Sequence, residues 1–429
     1  MYRVALPPGG LQHLSAMLPS EVRATGELAG TAVGGTAKFI KEAHLGIASR
    51  PFGLLGVLGA PVRAVHDRVS GTAYDLVYKA LAAGPRALAR VTPGNGVPAA
   101  NTLRGGLALG ALNGAVGDRL AESGNPLALD MTLRGGGDTP RLAVFVHGLC
   151  ETDDAWGLFG RRPYGARLYE ELGYSPLYLR YNSGLHISDN GRRLAQLLEE
   201  TVESWPVPVE EIALIGHSMG GLVARSACHY GGEWTQSVRH VFCLGSPHLG
   251  APLEKIANTA AYALSRLPET RPLAHVMNGR SVGIKDLRFG SCAEEDWCDC
   301  DADEFLRDRC TEVPFLECAT YYFVGATLTK STGSIVGDLL VRYPSASGAG
   351  KRRQIPFDID NGMHLGGANH FQLLNHPAVY DQLVSWLAGR GSGAPDSRTL
   401  PPPRPPGAPD GRYPALSAVA GGQAPPRSE

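Results

Sequence analysis

The sequence predicts an α/β protein: a mainly parallel sheet with helices on both faces, a helical N-terminal extension and a cap-like insertion. Three observations predict it. The stretch "RLAVFVHG", Arg141 to Gly148, is a continuous apolar run that suits a strand covered on both faces. Beyond it, strand-like and helix-like patterns alternate down to "HPAVYDQLVSWLAG", and such alternation builds a parallel sheet from strand–helix–strand units. The chain of 429 residues is long enough for one large domain with appendages, or for two domains.

Residues 1–125 are rich in Ala, Gly and Leu and read as the helical extension, with patterns such as "AYDLVYKALAAGPRALARV". Apolar residues there, including Leu76, Val77, Leu81, Leu88 and Val91, must bury their face on something. Two surfaces suit them: the main domain, or a membrane surface beside the mouth of a site. The main domain covers residues 126–390. It opens with "LALDMTLR", where Leu127, Leu129, Met131 and Leu133 share one face of a half-buried strand. After the turn "GGGDTP" and the apolar run already quoted, "SPLYLRY" precedes the helical "NGRRLAQLLEETVESW", and "EIALIG" precedes "GGLVARSACHY". The next strand, "VRHVFCLG", leads into the insertion, residues 251–316, and "ATYYFVGA" follows it. Residues 391–429, with "PPPRPPGAPDG", are too rich in Pro and Gly to pack and read as a disordered tail.

Composition removes several function classes. The formal net charge is -1 and no basic stripe appears, so nucleic acid is not an expected partner. Lys351-Arg352-Arg353 reads as a solvated loop. The most apolar early stretch, "PFGLLGVLGAPV", is too short and too rich in Gly and Pro to span a bilayer. The first residues do not read as a secretory signal, which leaves the cytoplasm as the default compartment. Of eight cysteines, Cys150, Cys228 and Cys243 read as small core residues. Cys292, Cys298, Cys300, Cys310 and Cys318 crowd into one acidic segment without C-x-x-C spacing or an interleaved His. Reduced structural thiols are the first reading, with local disulfides or a metal knuckle as alternatives.

The chemistry centres on Gly216-His217-Ser218-Met219-Gly220, a G-x-S-x-G motif between an apolar strand and a helical pattern. Glycines two positions either side of the serine permit a sharp strand-to-helix turn that lifts the hydroxyl above the sheet end. The helix behind it aims N–H groups and a positive dipole end at developing negative charge. A Gly-rich turn alone would need no serine there. "VFVHGLC" ends an upstream strand in His147-Gly148, placing the amide of Leu149 beside that of Met219 as an oxyanion hole. A serine nucleophile requires a base and a group to orient it, and behind a strand–turn–helix elbow of this kind the expected order along the chain is Ser, acid, His. His229 and His240 lie within a helix and a strand, His248 comes too early, and His376 starts the last helix. His370, in the loop "GGANHFQLL", is the expected base, with His364 second. Asp338 is the sole carboxylate in "STGSIVGDLLVRYPSASG" and the expected acid, with Asp358 and Asp360 as fallbacks.

Taken in order, "VHGLC", "GHSMGGLVARSA", "LGSPHLGAP", "VGDLLV" and "GANHFQLL" resemble the α/β-hydrolase superfamily. The resemblance is to its bacterial lipases and esterases and to the lipase-like group that includes GPI inositol-deacylases. It spans roughly residues 127 to 390 and implies Ser218 as nucleophile, Asp338 as acid, His370 as base, and the Leu149 and Met219 amides as oxyanion hole. Two departures stand out: Leu339 follows the acid where such enzymes often carry Gly, and the insertion matches nothing that names a substrate. The expected activity is hydrolysis of a small-molecule or lipid carboxylic ester with no metal or organic cofactor. Acyl transfer by the same triad, and a non-catalytic binding module, are the alternatives.

Overall fold

The computed structural model describes residues 17–54, 56–91, 96, 98–268, 270–333 and 337–389. Its centre is a sheet of seven strands: β1 (Thr132–Gly135), β2 (Arg141–Val146), β3 (Tyr174–Arg180), β4 (Glu211–His217), β5 (Val238–Leu244), β6 (Thr320–Thr327) and β7 (Gly362–Gly366). They lie in the order β1-β3-β2-β4-β5-β6-β7, antiparallel between β1 and β3 and parallel elsewhere. The apolar run of β2 is continuous because both faces are covered. Leu142, Val144 and Val146 join the core on one face, and Ala143 and Phe145 join the core on the other. Ile212 and Leu214 alternate with Ala213 and Ile215 in the same way along β4.

The extension begins with two long helices, α1 (Pro19–Leu54) and α2 (Gly56–Val91), and continues with α3 (Leu103–Glu122). In the main domain, α4 (Tyr164–Leu172) covers one face of the sheet through Leu168. The opposite face is covered by α5 (Ile187–Glu203) and α6 (Met219–Tyr230), through Leu194, Leu198, Leu222 and Val223. The insertion carries α7 (Pro252–Ser265), α8 (Arg271–Asn278) and the single turn α9 (Val282–Asp286). After β6 come α10 (Tyr343–Ala346) and the last helix, α11 (Pro377–Leu387), whose Leu383 and Trp386 return to the α4 face.

Two elements differ from expectation. The strand expected over 127–134 is confined to Thr132–Gly135. Leu127 and Leu129 turn away to pack with the extension, while Met131 and Leu133 reach the sheet core. The buried Asn113 of α3 supplies what a neighbouring strand would have supplied. Its amide nitrogen donates to the Leu127 carbonyl at 2.8 Å, and its oxygen accepts from Leu129 N–H at 2.9 Å. The second difference is β7, a strand the sequence reading did not anticipate. It is short and glycine-rich, and the glycine at its start is required by packing: a Cβ on Gly362 would lie 2.1 Å from the Phe323 ring.

The extension is docked by its last helix. Gly106, Gly110, Gly114 and Gly117 line one face of α3, and that face lies on the loop after β2 and on Asn182 after β3. A Cβ on Gly114 would lie 2.3 Å from Cys150 Sγ, and one on Gly117 would lie 1.9 Å from Asn182 Oδ1. The helices α1 and α2 pack on each other, closest where Gly26 meets Ala89 and Gly30 meets the Ala82 carbonyl. The side chains of Leu76, Val77, Leu81 and Val91 lie outside the described residues, as does the tail 391–429. No helix among the described residues is long and apolar enough to cross a membrane.

Candidate active site

β4 ends at His217 and α6 starts at Met219, so Ser218 alone makes the turn between them. It does so at φ 53° and ψ -123°, a conformation that side chains rarely adopt and that here projects the hydroxyl from the strand end. The flanking glycines are there for space. A Cβ on Gly216 would lie 2.4 Å from the Gly221 nitrogen, and one on Gly220 would lie 2.1 Å from the Val146 carbonyl oxygen.

The loop after β6 returns Asp338 to the same end of the sheet. Asp338 is 1% exposed, and its Oδ1 accepts the amides of Leu340 and Val341 at 3.0 and 2.8 Å. Its Oδ2 lies 2.7 Å from Nδ1 of His370, and its carbonyl accepts His370 N–H at 3.1 Å. The residue after it, Leu339, has φ 92°. That is the region where glycine is at ease, so the departure from the family's usual Gly is one of residue and not of backbone shape.

His370 opens a single helical turn closed by reciprocal bonds between Asn369 and Gln372. Only 2% of its surface is exposed, and its Nε2 has no hydrogen-bond partner among the described residues. The ring packs over Gly245 after β5, where a Cβ would lie 3.1 Å from Cε1. Ser218 and His370 line one cavity of about 280 Å³, together with Leu149, Leu253, Leu287 and Phe371. The Glu254–Arg280 ion pair adds polar groups to this mainly apolar wall.

The other candidates lie elsewhere. Nε2 of His364 contacts the Thr327 hydroxyl at 2.7 Å, within β7. His376 caps α11, and Asp358 caps a short turn by accepting from Asp360 N–H. His240 pairs with Glu211, and His248 is fully buried against Arg225. No group of three or more His, Cys, Asp or Glu among the described residues could hold a metal ion. All eight cysteines are unpaired, and burial pushes the Cys228 and Cys243 thiols up to about 12.

Gly148 and Leu149 sit against the serine. A Cβ on Gly148 would lie 3.0 Å from Ser218 Cβ, and the Leu149 side chain lines the shared cavity. The Met219 amide is the first N–H of α6, which a helix leaves without an internal acceptor. Two residues with no assigned part in the sequence reading also converge here. Glu151 Oε2 accepts Gly148 N–H at 2.7 Å and lies 3.0 Å from His217 Nδ1. Burial, the largest single effect, would raise the Glu151 carboxyl, but the charge and hydrogen bond of His217 together with the Gly148 N–H and the His147 charge outweigh it and hold the group below its ordinary range. For His217 burial, the largest single effect, works downward, and the charge and hydrogen bond of Glu151 together with the His370 carbonyl and the Asp338 charge outweigh it, so the imidazole is raised.

The strand order, the serine turn and the convergence of three loops at one sheet end define an α/β-hydrolase fold. Within it, residues 143–297 match the family model of the PGAP1-like alpha/beta domain. No curated protein matches the chain. Among solved structures, the mature lipase BlEst2 of Bacillus licheniformis is similar at 19% identity and a TM-score of 0.40, over 60% of this chain and 98% of that one. A lipase-esterase related protein from Clostridium acetobutylicum is similar at 15% identity and a TM-score of 0.33, over 60% and 98%. MGS-MChE2, an alpha/beta hydrolase from a lagoon-sediment metagenome, is similar at 15% identity and a TM-score of 0.35, over 61% and 96%.

Proposed function

We propose that the protein is a serine hydrolase that cleaves carboxylic esters through an acyl-enzyme. The observation that carries this reading is the state of His370. Its Nδ1 is held by Asp338 at 2.7 Å, while its buried Nε2 is unpartnered on the wall of the cavity that Ser218 shares. A proton taken from a hydroxyl needs such an acceptor. In the reaction, Ser218 Oγ attacks the ester carbonyl and its proton passes to His370 Nε2. Asp338 keeps the proton on Nδ1 and stabilises the imidazolium that forms. The amides of Leu149 and Met219 receive the negative charge on the carbonyl oxygen. The imidazolium then protonates the leaving alcohol, and water, activated by the same base, releases the acid. Leu253 and Phe371 line the cavity yet are 61% and 45% exposed, which supports an ester with an apolar acyl chain.

A fluorophosphonate probe and short p-nitrophenyl esters test the reading. The probe should label the protein, and Ser218→Ala should lose both labelling and turnover while keeping its melting transition. His370→Ala should lose about as much activity as the serine variant, because the two act as one unit. Turnover near the wild-type rate in Ser218→Ala would overturn the proposal.

A further inference from the structure

We propose that Glu151 and His217 form a positioning ion pair that ties the oxyanion loop to the loop carrying the base. The inference rests on the esterase reading above, and its foundation is hydrogen-bond accounting. Both nitrogens of His217 face oxygen acceptors: Nδ1 meets Glu151 Oε2 at 3.0 Å, and Nε2 meets the carbonyl of His370 at 3.2 Å. The carbonyl can only accept, so Nε2 carries a proton. The carboxylate oxygen already accepts Gly148 N–H at 2.7 Å. An imidazolium facing a carboxylate satisfies all three contacts. His217 is fully buried and Glu151 is only 9% exposed, so the two groups face each other with little access to bulk water.

The couple therefore sits where three distant segments meet. Glu151 fixes Gly148, whose neighbour Leu149 offers the proposed oxyanion amide. His217 precedes the nucleophile in the chain and holds the backbone of the base. The rings of His217 and His370 stand 4.8 Å apart at 48°. Loss of the His217 proton removes a donor from one of these contacts and leaves the other without its charge. Neither residue need touch the substrate to matter, since a small displacement of an oxyanion donor or base costs rate steeply.

The groups around His217 favour the charged form. From the oxyanion loop it meets Glu151; from the facing loops it meets the Asp338 carboxylate and the His370 carbonyl; the Trp156 ring lies edge-on at 6.4 Å. His147, which also feels the Glu151, Asp153 and Arg180 charges, is pushed down by burial, the largest effect on it. A raised imidazole keeps its contribution at low and neutral pH and loses it as pH climbs through its folded value. Activity should therefore carry an alkaline limb, separate from the acid limb set by protonation of the base.

The test uses the full-length protein and reads the imidazole before it reads activity. Nitrogen-15 NMR, with the signal assigned through His217→Gln, should show His217 doubly protonated at pH 7.5. In Glu151→Gln the signal should become singly protonated at that pH. The alkaline limb of kcat/KM for p-nitrophenyl butyrate should move to lower pH, with kcat about 10- to 100-fold down and KM little changed. A neutral His217 at pH 7.5 in the wild type would overturn the inference without any variant having to fold. An unmoved pH profile and kcat in folded Glu151→Gln would overturn it too. Failure of the esterase reading looks different: Ser218 would not take the fluorophosphonate, whatever the state of His217.

Discussion

The helix α3 and the α1–α2 hairpin share one composition, rich in Ala, Gly and Leu, yet use their glycines differently. In α3 the positions where Cβ atoms would stand are filled by other parts of the chain: Asp154 at Gly106, the Glu151 carbonyl at Gly110, Cys150 at Gly114 and Asn182 at Gly117. Each neighbour belongs to a loop that shapes the site. In the hairpin, Gly26 and Gly30 are crowded by α2, whereas Gly35 and Gly84 meet nothing within 4 Å among the described residues. A glycine thus records close approach only where something stands opposite. Composition alone does not separate the two cases, which is why both stretches read as one extension.

The largest expected effect comes from cutting between them. A chain starting at residue 99 keeps α3 on the oxyanion loop and should still hydrolyse p-nitrophenyl butyrate. It should be less stable, because Ala24 leaves a cluster shared with Leu109, Leu120 and Leu127. A chain starting at residue 126 also loses the buttress under Cys150 and Glu151, and kcat should fall by about a hundredfold or more. Equal activity in the two truncations would mean that α3 packs beside the site without shaping it.

A smaller step isolates one contact. Gly114→Val puts a branched side chain where Cys150 Sγ stands, so either α3 or the loop must move. The cost should be about 1–3 kcal/mol by urea unfolding, with a fall in kcat because Leu149 follows Gly148 in the displaced loop. If the urea midpoint is unchanged, the gap beneath the loop is wider than the contact implies.

Much of this architecture was legible in advance, for a specific reason. β2, β4 and β6 are buried on both faces along nearly their whole length, and β5 is so from Val241 to Leu244; these stretches carry unbroken apolar runs, and Ser218 sits between glycines that its turn requires. Short-range chemistry of that kind is written locally. β7 was not legible, because five residues with glycines at both ends have no pattern; its place is set by the Phe323 ring across the sheet. The early end of the 127–134 strand failed for a related reason. Its alternation is real, but Asn113 of a distant helix takes the backbone groups a ladder would need. Asp338 and His370 were narrowed by order and by elimination, and their contact belongs to the folded chain. Glu151 was missed because its charged partner, His217, lies 66 residues away and is joined to it only through the fold.

The smallest effect tests the glycine distinction inside a single helix. Gly35 lies within α1 and meets no neighbour within 4 Å among the described residues, so Gly35→Ala adds a methyl group that strikes none of them and lowers the entropy of the unfolded chain. The substitution should raise stability by about 0.5–1 kcal/mol. Nine positions earlier, in the same helix, a Cβ on Gly26 would lie 2.2 Å from Ala89 Cβ and 2.9 Å from the Pro85 carbonyl oxygen. Gly26→Ala gains the same propensity but must push α2 away, and the clash falls largely on backbone and a rigid methyl, so the sign should reverse. Urea midpoints of the two variants decide it. Opposite signs mean that the hairpin is packed at Gly26 and unpartnered at Gly35; two stabilising substitutions would mean that α1 and α2 lie further apart in solution than this geometry has them.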